Sequence, residues 1–271
     1  MFTIKLDLPS GKSTRLGELN NRDYLVILKF CQNGDFVGLN SFFEQLYFTS
    51  DLNIFDRFYI LLSVRKMFVD SKLTFVGKDK VDISYNIDTI LSKLTDNYVE
   101  TQETLVEDDI EVEVGIPCGL FFEGVDELYQ STIRSIKYKG LVIDFFNLNA
   151  AEKTKILDRL PTSIFLSLQA YIKRLSDTLF NLTLIEENKE FEISEVRINI
   201  IGNGVLQFLI SIFTYDLVFF YEAFYYYNHF VTKGSGDFFD MSFNEVRLLL
   251  KLHSERIDKE NKEIKKQQRM L

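Results

Sequence analysis

Eight aromatic residues fall within the twelve positions from Phe219 to Phe230: Phe219, Phe220, Tyr221, Phe224, Tyr225, Tyr226, Tyr227 and Phe230. No single stripe of a helix can hold them all. At 3.6 residues per turn Phe220, Phe224 and Tyr227 share one face, while Phe219 and Tyr226 share another. The segment is therefore a helix wrapped on several sides by its own chain, or one whose second face meets another chain. Upstream, the eighteen residues from Ile198 to Tyr215 carry no formal charge, and Val205 to Tyr221 is more apolar still, close to the length that crosses a bilayer. Against a crossing stand Asn199, Gly202, Asn203, Gly204 and Gln207 on one side and Asp216 in the densest part. A carboxylate at mid-membrane costs on the order of 3 kcal/mol. The pattern predicts one long aromatic helix from Val205 to Phe230, with membrane anchoring through 205–221 as the alternative.

A chain of 271 residues can bury a core without disulfide or metal staples. With 46% hydrophobic and 26% charged residues but only 13 Gly and 3 Pro, it belongs with globular chains. The net charge of −9 argues against a nucleic-acid binder that works by neutralising phosphates. Cys31 and Cys118 are the only cysteines, far apart and outside any C-x-x-C pair, which leaves neither a disulfide framework nor a thiolate metal box. That cysteine usage reads as a chain of a reducing cytosol, and the start, MFTIKLDLPSGK, without the basic and apolar regions of a secretory signal, gives no expectation of export. Two histidines, His229 and His253, in different segments remove most general-base, triad and zinc readings. No cofactor is expected.

The period of the pattern divides the chain into three. Phe2, Ile4, Leu6 and Leu8 alternate up to a Pro9-Ser10-Gly11 turn, and Thr14 to Leu16 resumes the alternation, which predicts a β-hairpin. Asn20 caps a helix that Asn33-Gly34 stops; further helices are expected over Phe36–Phe48 and Ile54–Asp70. A second hairpin is read around Gly77-Lys78-Asp79-Lys80, then a short helix over Ile87–Leu94. An acid-rich strand ends at Val114, and one strand is read over Ile133–Val142. Asn149 begins a helix that Leu160-Pro161 closes, and Thr162 to about Phe180 forms the next. Phe191–Ile200 is a candidate strand. Ser242-Phe243-Asn244-Glu245 is a capping box for a helix running towards Gln267. The class is α+β: a mainly helical body with an N-terminal hairpin, a β-rich middle insertion and a long C-terminal helix. Residues 1–72 form the first part and 73–145 the β-rich lobe, while 146–271 pack with the first. No internal repeat is visible.

Each motif also has a plain structural reading. Gly11-Lys12-Ser13-Thr14 ends like a phosphate-binding loop, but Leu6 stands where that loop needs its first glycine and a strand follows in place of a helix, so a turn is expected. Seven acids between Glu100 and Glu113 contain no calcium-loop spacing; they read as a solvated strand face able to dock a basic partner. In the tail, Leu250, Ile257 and Ile264 recur every seven residues among seven bases and four acids from Lys251 onwards. Two intervals are too few for a coiled coil, and a projecting helix is expected. The residues assigned to partner binding are Phe219, Tyr221, Tyr225, Tyr226, Phe230, Leu250, Ile257 and Ile264, and none is assigned to catalysis or to a metal.

Several segments together resemble a family. The "LPSGK" hairpin leading through "LNNRDYLVILKF" resembles the start of T-even-type bacteriophage baseplate hub assembly proteins and, more loosely, of phage tail assembly chaperones. "VDISYNIDTILSKL", "IEVEVGIPCG", "ILDRLP" and the closing helix "MSFNEVRLLLKLHSERIDKENKEIKKQ" extend the resemblance over most of the chain. It implies a late viral protein that helps build the central hub of a contractile-tail baseplate, as chaperone or minor component. Its partners would then be other hub or tail proteins, without nucleic acid or membrane, in the host cytoplasm and in the virion if it stays there. The resemblance carries over no active-site residue. A non-enzymatic assembly protein is the expectation, and a small cytosolic enzyme of unrecognised type is the alternative.

Overall fold

A computed structural model describes residues 3–76, 82–120, 122, 124–179, 181–183, 195–197, 212–213, 217–231 and 237–268. The N-terminal hairpin pairs β1 (Thr3–Asp7) with β2 (Ser13–Gly17), antiparallel and in register from Thr3↔Gly17 to Asp7↔Ser13. Helix α1 (Asn21–Asn33) starts where the Asn20 side chain accepts the amide of Asp23, and it ends at Gly34, whose φ of 65° only glycine adopts without strain. Helices α2 (Phe36–Leu46) and α3 (Ile54–Phe68) follow, both shorter at the C-terminal end than the sequence pattern suggests. Eleven consecutive or near-consecutive residues of α3 are buried, charged Asp56, Arg57 and Arg65 among them. It is therefore α3, rather than the aromatic segment, that is wrapped on all sides.

The predicted second hairpin forms from β3 (Lys72–Val76) and β4 (Asp82–Asn86), its turn lying outside the described residues. Helix α4 (Ile87–Asn97) leads into a four-stranded antiparallel sheet in the order β5 (Glu103–Glu107), β6 (Ile110–Val114), β7 (Ile133–Tyr138) and β8 (Leu141–Ile143). The acid-rich stretch is thus a hairpin, with a strand before the expected one. The strand read over Ile133–Val142 is also a hairpin, bent at Lys139 (φ 47°) and Gly140 (φ 82°) as a two-residue turn of the mirror-image type I requires. Leu105, Val112 and Ile136 form the buried row of its inner face. Between β6 and β7 runs α5 (Val125–Thr132), which the sequence pattern does not announce: of its eight residues only Leu128 and Thr132 are buried.

Helix α6 (Ala150–Leu157) opens with the predicted capping box of Asn149 and Glu152, and α7 (Thr162–Leu179) follows Pro161. Its Tyr171 hydroxyl donates to the Thr101 carbonyl (3.0 Å), and its Arg174 holds Glu103 of β5 through two contacts of 2.7 and 3.0 Å. A small pair, β9 (Asn181–Thr183) with β10 (Glu195–Arg197), covers part of the candidate strand over 191–200, the rest of which lies outside the described residues. Of the predicted helix over 205–230, a helix over Leu217–Tyr226 and a π-helical turn over Tyr227–Val231 are described; residues 205–211 and 214–216 lie outside. Among the described residues no helix is long and apolar enough to cross a membrane. The C-terminal helix spans Phe243–Gln268, started by reciprocal bonds between Ser242 and Glu245.

The two ends of the chain meet in one core. Asn21 of α1 donates from its backbone to the Met241 carbonyl (2.7 Å) and from its side chain to that of Phe238 (2.8 Å). The Tyr24 ring lies 5.4 Å from Phe243 and 6.0 Å from Phe220. Arg247 of the C-terminal helix bonds the Val69 carbonyl and the Asp70 carboxylate just past α3.

Candidate protein interaction surface

The aromatic helix divides its rings between two environments. Phe220, Ala223 and Tyr227 are buried, with Phe224 half-buried beside them; Phe220 stacks on Phe243 at 5.9 Å and meets Phe238 edge-on at 5.4 Å. This is the inward stripe that helical spacing predicts. On the other side Tyr225 and Tyr226 are 53% and 50% exposed and Phe230 53%, with Phe219 and Tyr221 also exposed. A large ring left half in water forgoes part of the roughly 25 cal/mol per Å² that burial would return, and single exposed apolar residues are ordinary while contiguous ones are not.

Three of these exposed rings, Tyr225, Tyr226 and Phe230, are contiguous. Tyr225 packs against Tyr226 and stacks on His229 at 4.0 Å, Tyr226 stacks on Phe230 at 5.9 Å, and Phe230 stacks on His253 of the C-terminal helix at 6.0 Å. The π-helical turn widens the last turn of the segment and carries Phe230 to the side of that helix. Of the assigned residues on the C-terminal helix, Leu250 packs partly on the core, whereas Ile257 and Ile264 are exposed farther out. On the flank, Phe219 lines a cleft of about 520 Å³ with Leu248, Leu250 and Arg247. The structure therefore brings Tyr225, Tyr226 and Phe230 into one patch that continues onto the C-terminal helix. Phe219 faces that flanking cleft. The sequence signal was the excess of rings over what one stripe can bury.

A second feature, a polar cleft of about 250 Å³, lies where the first hairpin turn meets the β-sheet lobe and includes Ser10, Lys12, Asp51, Tyr98, Cys118 and Arg134. Lys12, the lysine of the phosphate-loop-like string, is bound to the Asp51 carboxylate (2.9 Å) and carbonyl (2.7 Å). Ser10 donates its hydroxyl (2.7 Å) and amide (3.2 Å) to Asp56 of α3. The "PSGK" turn is thus a latch that fastens the hairpin to α3. Burial pushes the Cys118 thiol up, against the pull of Arg134, and pushes the Tyr98 phenol up to about 12, so both hold their protons at neutral pH. Both histidines sit elsewhere, against Tyr225 and Phe230. Among the described residues no cluster of three or more His, Cys, Asp or Glu is placed to hold a metal ion. Of the acidic strands, Glu111 is paired with Lys137 (2.8 Å), Glu113 accepts from Ser135 (2.8 Å) and Glu103 is held by Arg174, so part of their charge is used within the chain.

Residues 1–201 match the sequence profile of a protein family described as T4 bacteriophage base plate protein. No curated protein and no solved structure matches the chain. The match ends before the aromatic patch and the C-terminal helix begin.

Proposed function

The chain belongs to the T4 bacteriophage base plate protein family, and we propose that within the baseplate it is a non-enzymatic component of the central hub, or a chaperone of hub assembly. Its work is then done through contacts with other baseplate proteins, in the host cytoplasm during assembly and in the tail if it is retained. The observation that supports this reading is the contiguous patch of Tyr225, Tyr226 and Phe230, half exposed on the side of the helix away from the buried Phe220, Ala223 and Tyr227. Aromatic side chains of that kind supply most of the binding free energy at protein interfaces when a partner desolvates them. Phe219, Tyr221, Leu250, Ile257 and Ile264 complete the surface, and the bases of the tail form its rim, where charge governs association rate and salt dependence.

The test uses the full chain with Tyr225→Ala and Tyr226→Ala. Each change is expected to weaken binding to baseplate proteins by about 1–3 kcal/mol and to leave the fold intact, because neither ring is in the core. Complementation of phage assembly reads the first effect and circular dichroism the second. Normal assembly with the double variant would remove the surface from the reading. Mass spectrometry of finished particles separates the two roles: a retained chain is a hub component, and an absent one is a chaperone.

A further inference from the structure

The buried stripe of the C-terminal helix runs on past the body that buries it. In helical projection Phe243, Val246, Leu250, His253, Ile257 and Ile264 share one face. Phe243 and Val246 are fully buried, and Leu250 and His253 are partly so. From Lys251 to Lys265 every residue except His253 is exposed, with Ile257 and Ile264 at 40% and 51%. At 1.5 Å per residue, the helix from Lys251 to Gln268 projects for about 27 Å.

We infer that this projecting stem pairs antiparallel with the same stem of a second copy of the chain. The charges beside the stripe select both partner and direction. When Ile257 lies beside Glu260 of the second copy and Ile264 beside its His253, Arg256, which bonds Glu260 of its own helix (2.8 Å), comes opposite Glu263 of that copy as a second carboxylate partner, and two-fold symmetry makes this contact twice. Ser254 and Asn261 meet across the other flank, so no like charges oppose there. Parallel pairing would instead place Glu260 against Glu260, and Arg256 would face Asn261. Ile264 also comes to the margin of the Phe230–His253 stack, which extends the apolar contact onto the aromatic patch. The assignment rests on the preceding reading only in taking this stretch as a protein contact, and it gives the distal part of that surface an occupant.

Sedimentation of the full chain, up to about 1 mM because so short a contact is weak, is expected to show a monomer–dimer equilibrium. Ile257→Lys with Ile264→Lys should lower the association constant about 100-fold. Glu263→Arg should lower it about tenfold, and Arg256→Glu added to it should restore it. In a Cys118→Ser background, His253→Cys chains mixed with Ile264→Cys chains should form the mixed disulfide. His253→Cys alone should not, since antiparallel stems hold its two copies about 16 Å apart along the axis. A chain monomeric at every concentration, a dimer indifferent to the isoleucine pair, or ready cross-linking of His253→Cys alone overturns the inference. A monomeric chain whose tyrosine face still binds baseplate protein overturns this inference and keeps the earlier one; a dimer of the predicted register whose tyrosine variants assemble normally does the reverse.

Discussion

Asp56 is a carboxylate without solvent exposure, and burial raises the pKa of its carboxyl while the hydroxyl and amide of Ser10 work against the rise. Asp51, at the same latch, is pulled the other way by bonds from Thr49 and Lys12. The two therefore give opposite slopes of stability against pH. The folded chain binds the Asp56 proton more tightly than the unfolded chain, so its contribution is full below the ordinary value of 3.8 and is lost as pH rises through the higher folded value. The contribution of Asp51 is full above 3.8 and is lost as pH falls through its lower folded value. Urea unfolding as a function of pH should show the first slope disappear in Asp56→Asn and the second in Asp51→Asn. Ser10→Ala leaves the buried carboxylate short of a donor and should cost about 1–3 kcal/mol at neutral pH. Cys31, its thiol pushed up to about 12 by burial, should resist a thiol reagent in the folded chain and react at once in urea.

At the scale of elements, the aromatic helix gives the sharpest contrast. Phe220→Ala removes a fully buried ring that touches Tyr24, Phe238 and Phe243, and should destabilise the fold by about 3–5 kcal/mol. Tyr225→Ala on the outer face should fall within about 0.5 kcal/mol of the unaltered chain. Chemical denaturation of the two variants checks both. The inward stripe was legible because helical spacing alone puts Phe220 and Tyr227 together; the patch was legible only as an excess of rings, since which of them lie bare depends on how Phe243 and Phe238 arrive from elsewhere in the chain. Caps at Asn20, Asn149 and Ser242 were legible because their chemistry is local. The turn at Lys139-Gly140 was not, because a lysine is no turn signal, and α5 was hidden by a segment with a single buried leucine. The burial of α3 on every side, ions included, is a tertiary effect that no window of sequence carries.

For the molecule as a whole, the family match and the fold divide the chain differently. The match ends at residue 201, yet the body built from the first 70 residues is closed by what comes after. The Ile212 carbonyl accepts from Arg65, Phe213 lies 5.3 Å from Phe43, and Phe243 and Phe238 complete the rings around Tyr24 and Phe220. Removing those residues would leave the buried guanidinium of Arg65 with one carbonyl partner fewer and would expose the apolar face of α1, and folded domains are separated from unfolded ones by only about 5–15 kcal/mol. The stem beyond Ser254 has no such role, for its side chains are exposed up to Lys265. A chain ended after residue 201 should therefore lack a cooperative thermal transition. One ended after residue 254, which keeps Phe243, Val246, Leu250 and His253 in place, should unfold cooperatively at nearly the temperature of the full chain. Thermal unfolding followed by circular dichroism compares the three lengths. A cooperative fold in the 201-residue chain would mean that the C-terminal residues are an appendage to a body that stands without them.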